Sequence, residues 1–287
     1  LTTLASAQVL YPYTLGAVSD KAITETADIV SENLSDNGFN VLGKYSPAND
    51  PDRLVIVISS EELLAAAGKS GGLTGFAAAL RVGLTSEDGK VNISYTSPEY
   101  WLNAYYRNDY DKVKSTLASL KPKLEKVMKA SGTWSGKGFG SGKGLEADDL
   151  RSYRYMMGMP RFDGTNELGN FGSFQEAIDK IESSILKGVP NVDKVYALEI
   201  PGKEMKLYGF GLGGETGESH FLPIIDISSP KHTAFLPYEV LVTGNEVHML
   251  HGRYRIALSF PDLTMGTFTK IMSSPGDIED LLKSIVE

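Results

Sequence analysis

The sequence predicts an α+β fold in two tandem domains, each an antiparallel sheet with helices packed on one face. Three observations carry that reading. One amphipathic helical pattern occurs twice, about 150 residues apart, a period too long for a solenoid and long enough for each unit to close its own core. After each helical pattern come short runs of Val, Ile and aromatic residues broken by Asn, Asp, Gly and Pro, the mark of antiparallel strands. The length, 287 residues, exceeds the usual single-domain size.

The first helical stripe is Ile23, Ala27, Val30 and Leu34, ending at Asp36-Asn37-Gly38; the second is Phe174, Ile178, Ile181 and Ile185, ending at Lys187-Gly188. Both follow i, i+4, i+7, i+11, one face of a 3.6-residue period. Ahead of the first, Tyr11-Pro12-Tyr13-Thr14-Leu15 reads as an edge strand because Pro cannot donate to a ladder, and Ser19 or Asp20 offers an N-cap. Residues 39–45 and 53–59 read as strands joined through Asn49-Asp50-Pro51-Asp52. A short helix at 61–69 precedes a hairpin of 78–85 with 91–95 about Ser86-Glu87-Asp88-Gly89. Residues 98–130 are helical, with Val113, Leu117, Leu120, Leu124 and Val127 in one stripe, and Pro122 should kink or restart the helix.

Glycine then stands at 136, 138, 140, 142 and 144, a composition that costs much chain entropy to order. Residues 132–145 therefore read as an interdomain linker between a first domain at 11–131 and a second at 146–287, with 1–10 an N-terminal tail. As a phosphate-cradling loop the tract fails: no strand leads into it, the Walker spacing is absent, and Glu146, Asp148 and Asp149 crowd the next helix start. A helix at 146–157 ends before Gly158 and Pro160. Ser173-Phe174-Gln175-Glu176 is a capping box opening the second copy. Strands are expected at 192–200, 206–212 and 221–227, a hairpin of 238–243 with 248–260, and a closing helix at 277–286. Setting Val91-Asn92-Ile93-Ser94-Tyr95 and Pro98 against Tyr254-Arg255-Ile256-Ala257-Leu258 and Pro261 leaves about five extra residues within 244–253 of the second copy, and loops are where a duplicated scaffold tolerates new length.

The Asn37-Gly38-Phe39-Asn40-Val41 helix end, the hairpin across 80–95 and the Ser97-Pro98-Glu99 stop resemble the bacterial DUF302 family, a domain of unknown function. Tyr238-Glu239-Val240-Leu241-Val242 and Tyr254-Arg255-Ile256-Ala257 resemble a divergent second copy. The resemblance implies small α+β domains with helices on an antiparallel sheet, sometimes in tandem, and brings no catalytic residues with it.

Composition removes several function classes. With 28 Lys plus Arg against 36 Asp plus Glu, the net charge of -8 opposes phosphate backbones and anionic membranes, so nucleic acid is not an expected partner. Apolar residues at 41% and charged ones at 22% are ordinary for a folded chain. No apolar run approaches the roughly 20 residues of a membrane-spanning helix. The absence of cysteine excludes disulfides, thiolate ligands and a Cys nucleophile. Ala5-Ser6-Ala7 has the small-x-small form of a signal-peptidase site, so an exported, periplasmic or extracellular location is expected; a flexible extension without meaning is the plainer alternative.

Candidate chemistry gathers in the expected extended hairpin. As a strand, His251, Arg253 and Arg255 share one face and form a cationic strip for a carboxylate or phosphate, with Glu239 and Tyr238 on the neighbouring strand. The competing reading is a solvated strand face with a routine cross-strand pair to Glu239. His248, Met249 and His251 place imidazole and thioether donors together and suit Cu(I), against methionines that simply fill core. Asp226, Asp262 and Glu239 are the acids nearest strands, with Arg253 or Arg255 as the expected partners. No nucleophile elbow occurs and no cofactor is predicted.

The expected function is therefore a binding or assembly module, uncertain as an enzyme and leaning against one, that holds an apolar or amphipathic ligand or a partner chain. Tyr153, Tyr155, Met156, Met157 and Phe162 motivate it. Self-association by strand addition through the alternating Thr2, Leu4 and Ser6 is one alternative. Cu(I) or anion binding, or catalysis, at the hairpin across 248–255 is the other.

Overall fold

The computed structural model describes residues 9–287. The first half runs β1 (Tyr13–Ser19), α1 (Ile23–Asp36), β2 (Asn40–Tyr45), β3 (Arg53–Ser59), α2 (Glu61–Ser70), β4 (Leu80–Glu87), β5 (Lys90–Thr96) and α3 (Pro98–Tyr106), followed by α4 (Tyr110–Leu117), α5 (Leu120–Ser131) and β6 (Thr133–Phe139). The second half runs α6 (Ala147–Arg151), β7 (Asn166–Asn170), α7 (Phe174–Lys187), β8 (Val192–Glu199), β9 (Met205–Leu212), α8 (Glu218–Ile225), β10 (Tyr238–Thr243), β11 (Glu246–Met249), α9 (Gly252–Ser259), α10 (Met265–Phe268) and α11 (Ser274–Lys283).

Two antiparallel sheets result, of six strands ordered β2-β3-β4-β5-β1-β6 and of five ordered β8-β9-β10-β11-β7. Without β6 the two orders are the same: in each half the first strand returns to pair with the last, after a helix, a hairpin and a second hairpin. The protein is thus an α+β fold whose halves repeat one topology.

The helices form where the spacing requires. α1 buries Ala27, Val30 and Leu34, and α7 buries Ala177, Ile178 and Ile181. The capping box is present in slightly shifted form: the Glu176 N–H donates to Ser173 Oγ at 3.2 Å, while the Glu176 carboxylate accepts from the Gly172 N–H at 2.9 Å, one residue before the usual partner. The helical stretch after Pro98 breaks at 107–109 and restarts near Ser119, so Pro122 falls in the first turn of α5, where a missing N–H costs nothing.

The inner faces of the sheets meet. β3 and β4 are buried on both sides, which is why Leu54-Val55-Ile56-Val57-Ile58 is a continuous apolar run rather than an alternating one. On β4, Arg81, Gly83 and Thr85 face the second half by the period of two. A Cβ on Gly83 would lie 2.6 Å from the Ala234 backbone nitrogen, so glycine lets the 3-10 turn Thr233–Phe235 cross the strand directly. Thr85 Oγ1 meets Thr233 Oγ1 at 2.6 Å. The reciprocal contact places Leu241 of β10 against Gly75 of the first half's 3-10 segment, Gly72–Ala78.

Three expectations are corrected. The glycine-rich tract is not devoid of regular structure, since β6 pairs antiparallel with β1 at Tyr13 to Phe139 and Leu15 to Lys137. Its glycines fit under aromatic rings: a Cβ on Gly138 would strike Tyr11, and one on Gly140 (φ +93°) would strike Tyr13. Residues 221–227 are not a strand; Phe221-Leu222-Pro223-Ile224-Ile225 lies in α8. β11 stops at Met249, and Tyr254-Arg255-Ile256-Ala257-Leu258 belongs to α9, the counterpart of α3 rather than of β5. In the correct register the second hairpin is the shorter one, and the expected insertion within 244–253 disappears. The strand-addition segment Thr2, Leu4, Ser6 and the Ala5-Ser6-Ala7 site lie outside the described residues.

Candidate functional site

Because α9 is a helix, the cationic strip does not form. His251 is the N-cap, its Nδ1 accepting the Arg253 N–H at 3.1 Å, and its pKa is lowered by burial and by Arg253. Arg253 is exposed. Arg255 turns inward, 2% exposed, donating to Ser259 Oγ at 3.0 Å and to the Phe235 carbonyl, with its guanidinium 4.9 Å from the Trp101 ring. Glu239 is paired with Arg81 rather than Arg253 or Arg255, and also accepts from the Tyr196 hydroxyl. Tyr238 is buried against Phe221 and Phe235.

The metal candidates are likewise separated. His248 and Met249 point to opposite faces of β11, and Met249 is fully buried. Both His248 nitrogens are engaged, Nδ1 with Thr165 Oγ1 at 3.2 Å and Nε2 with Glu246 at 2.9 Å. The aromatic and methionine cluster after the glycine tract splits as well. Phe162 is core, stacked on Tyr105 at 5.0 Å, while Met157 is 88% exposed. The apolar hollow beside Tyr155, Met159 and Phe268 has a volume of about 30 Å³, room for about one water.

A much larger groove, about 930 Å³, opens between the halves. One wall is the sheet side of the first half: Leu15 and Val18 of β1, Lys90 and Asn92 of β5, and Lys137, Phe139 and Gly140 at the end of β6. The other is built from the ends of α8 and α9: Ile224, Ile227, Phe260, Leu263 and the turn bearing Pro230 and His232. The glycine tract is tied into it through Asp262, which accepts from the Gly142 N–H and from Ser141.

His232 stands at the inner end. Asp226 Oδ1 accepts both the His232 backbone N–H at 2.8 Å and the ring Nδ1 at 2.9 Å, and its other oxygen pairs with Arg53 of β3. Burial alone would raise the Asp226 pKa; the hydrogen bonds and charge of His232, with the charge of Arg53, outweigh it and hold the carboxyl below its ordinary value. The ring is thus held to Asp226 through Nδ1, and Nε2 has no hydrogen-bond partner among the described residues. The ring is held by Phe260 at 4.5 Å, Tyr13 at 5.2 Å and Phe139 at 5.7 Å. A Cβ at Gly140 would lie 3.2 Å from Nε2, so only glycine there leaves the nitrogen uncapped.

Sequence reasoning named Asp226 but gave it the wrong partners, weighed the tract of Lys137 and Gly140 only as a phosphate loop and rejected it, and did not single out His232 or Arg53. The one local signal was the six-residue separation of Asp226 and His232 around a Ser-Ser-Pro turn. Arg53 comes from the other half, which no local pattern reveals.

No protein-family model matches the chain, and no curated protein matches it. Among solved structures it is similar to the crystal structure of an uncharacterized conserved protein, DUF302, from Bacillus stearothermophilus. The identity is 17% and the TM-score 0.37, covering 41% of this chain and 97% of that one.

Proposed function

We propose that the protein is a binding module that holds a small amphipathic ligand in the groove between its halves. The supporting observation is the groove itself. Its volume of about 930 Å³ falls within the roughly 300–1,000 Å³ of small-molecule sites, and its lining mixes apolar side chains with about as many polar and charged ones. Leu15, Val18, Ile224, Phe260 and Leu263 supply apolar surface, and His232, Lys137 and Asp262 supply polar points. The walls are rigid because the halves share one continuous core and are locked by Arg53–Asp226 and Arg81–Glu239. Preformed walls spare a ligand the cost of ordering them.

The test uses a neutral amphipathic dye, N-phenyl-1-naphthylamine, titrated into the full chain. Saturable fluorescence enhancement is expected, and Ile227→Arg should abolish it without lowering Tm, since Ile227 lines the groove and is 73% exposed. Unsaturable binding, or binding indifferent to Ile227→Arg, overturns the reading.

A further inference from the structure

We propose that the groove's ligand is an amphipathic amine whose ammonium group lies at the corner formed by Glu87 and Asp88, with its apolar chain along Val18, Leu15, Ile224 and Ile227; this rests on the groove reading above. Three carboxylates line the groove, those of Glu87, Asp88 and Asp262, and none forms an ion pair among the described residues. Glu87 closes β4, and its Oε1 accepts from the Asn92 amide at 3.0 Å and from the Lys231 N–H at 3.1 Å, neutral donors that fix the side chain and leave its charge. Asp88 follows in the exposed hairpin turn. Lys90, opposite Glu87 across the ladder, is matched by Asp20 at 3.0 Å. The corner of Glu87, Asp88, Asp20 and Lys90 therefore holds three carboxylates against one ammonium. Lys231 does not restore the balance: its ammonium donates to the Asp226 carbonyl at 3.0 Å, and its side chain lines a separate hollow beside Arg53.

Lys137, the other cation of the groove, stands at the far end. It pairs with Leu15, and the order β4-β5-β1-β6 sets its strand three spacings, roughly 14 Å, from β4. The third carboxylate, Asp262, is at that end too, held by the Gly142 N–H and Ser141, so one charge of each sign is present there. A ligand cation is thus drawn to the Glu87 end, and the net charge of -8 on the whole chain adds to the attraction at long range. A second feature, independent of the acids, points to a polar ligand. The His232 side chain is only 8% exposed and lines the groove, yet its Nε2 has no hydrogen-bond partner among the described residues. A hydroxyl serves that nitrogen whether the ring donates or accepts, so the contact does not depend on the protonation of His232. Val18, which pairs with Asn92, and Leu15, which pairs with Lys137, carry apolar surface from one end to the other, faced by Ile224 and Ile227. An ammonium at the corner makes charge-assisted hydrogen bonds to carboxylates that otherwise face none. An alcohol of the same length gains the chain contacts alone, and a carboxylic acid meets like charge.

The experiment is displacement of N-phenyl-1-naphthylamine from the full chain by decylamine, decan-1-ol and decanoic acid at neutral pH. Decylamine, an ammonium at that pH, should bind at least about tenfold more tightly than the alcohol in low salt, and about 0.5 M NaCl should erase most of the preference. Glu87→Gln with Asp88→Asn should remove about that factor for the amine while leaving the alcohol unchanged. Gln keeps an oxygen for Asn92 and Lys231, and Asn suits the left-handed turn position (φ +52°). Glu32→Gln with Asp36→Asn removes the same charge from exposed positions on α1, outside the groove lining, and should leave the amine preference intact. The salt series needs no variant, so the test stands if the Glu87–Asp88 variant does not fold. Equal displacement by amine and alcohol, tighter binding of decanoic acid, a preference indifferent to salt or to the Glu87–Asp88 variant, or one that the α1 variant removes as fully, overturns the amine assignment while the dye still reports a working groove. Absence of saturable dye binding in the wild type overturns the groove reading instead.

Discussion

Arg81 and Glu239 occupy the same place in the two halves and pair with each other, Nη2 to Oε2, both almost wholly buried. Each is the second residue of its strand, β4 and β10, and each strand is the equivalent of the other in the repeated topology. Two copies of one sequence would bring like charges together at this point. Here one copy carries the cation and the other the anion, and Tyr196 donates to the same carboxylate. Burial would lower the Arg81 pKa, but the facing Glu239 raises it, so the guanidinium stays charged.

Breaking that pair leaves one buried charge unmatched. Arg81→Met is expected to destabilise the protein by about 3–5 kcal/mol, whereas Arg81→Met with Glu239→Gln should recover most of it, because Gln still accepts from Tyr196. Urea denaturation of the wild type, both single variants and the double variant measures the coupling. Additive losses would show that the two side chains do not depend on one another.

The crossing of β4 by the turn at Thr233–Phe235 depends on Gly83 having no side chain. Gly83→Ala places a methyl against the Ala234 backbone, which cannot swing aside as a flexible side chain can, and should cost about 1–3 kcal/mol. Gly276→Ala, where nothing lies within 4 Å of the new methyl, is the control and should be neutral or slightly stabilising. Equal Tm values for the two variants would mean that the halves are not in contact there.

Most of the fold was legible where one face of an element meets solvent. α1 and α7 keep a polar stripe, so their period of 3.6 is plain, and the hairpin of β4 and β5 announces itself through Glu87-Asp88-Gly89. α9 was illegible for the opposite reason. Seven of its residues, Gly252 and Tyr254 through Ser259, are buried, and without a polar face the helical period vanishes and Tyr254, Ile256 and Leu258 imitate a strand. β6 was hidden because Gly138, and Gly140 just beyond the strand, fit against Tyr11 and Tyr13 of a distant segment, contacts that local propensity does not contain. The groove shares that cause: Arg53 and Asp226 are 173 positions apart in sequence and meet only in the folded chain.

The start of α7 depends on the Ser173 hydroxyl, which receives the Glu176 N–H. Ser173→Ala is expected to cost about 1 kcal/mol, and Ser173→Asp to cost less, since Asp caps as well as Ser and favours the positive end of the helix. Chemical denaturation reads both. An alanine variant as stable as the wild type would show that the Glu176 contact with Gly172 suffices by itself.

Glu218 joins the halves through three donors, the Ala48 N–H at 2.8 Å, the Tyr45 hydroxyl at 3.0 Å and the Leu212 N–H at 3.2 Å. Burial raises its pKa, and the three donors oppose the rise without cancelling it, leaving the carboxyl at about 7 against an ordinary 4.5. An acid whose pKa rises on folding binds its proton more tightly in the folded state, so its contribution to stability is full below the unfolded value and is lost as pH climbs through the folded one. The stability difference between wild type and Glu218→Gln should therefore shift against the wild type by roughly 2–4 kcal/mol between acid and mildly alkaline pH. Comparing the two proteins at each pH cancels the opposing titration of Asp226 and the other carboxyls whose pKa values are lowered. A difference that stays flat across this window, or that moves in favour of the wild type as pH rises, would mean the three donors outweigh burial and the carboxylate is charged throughout.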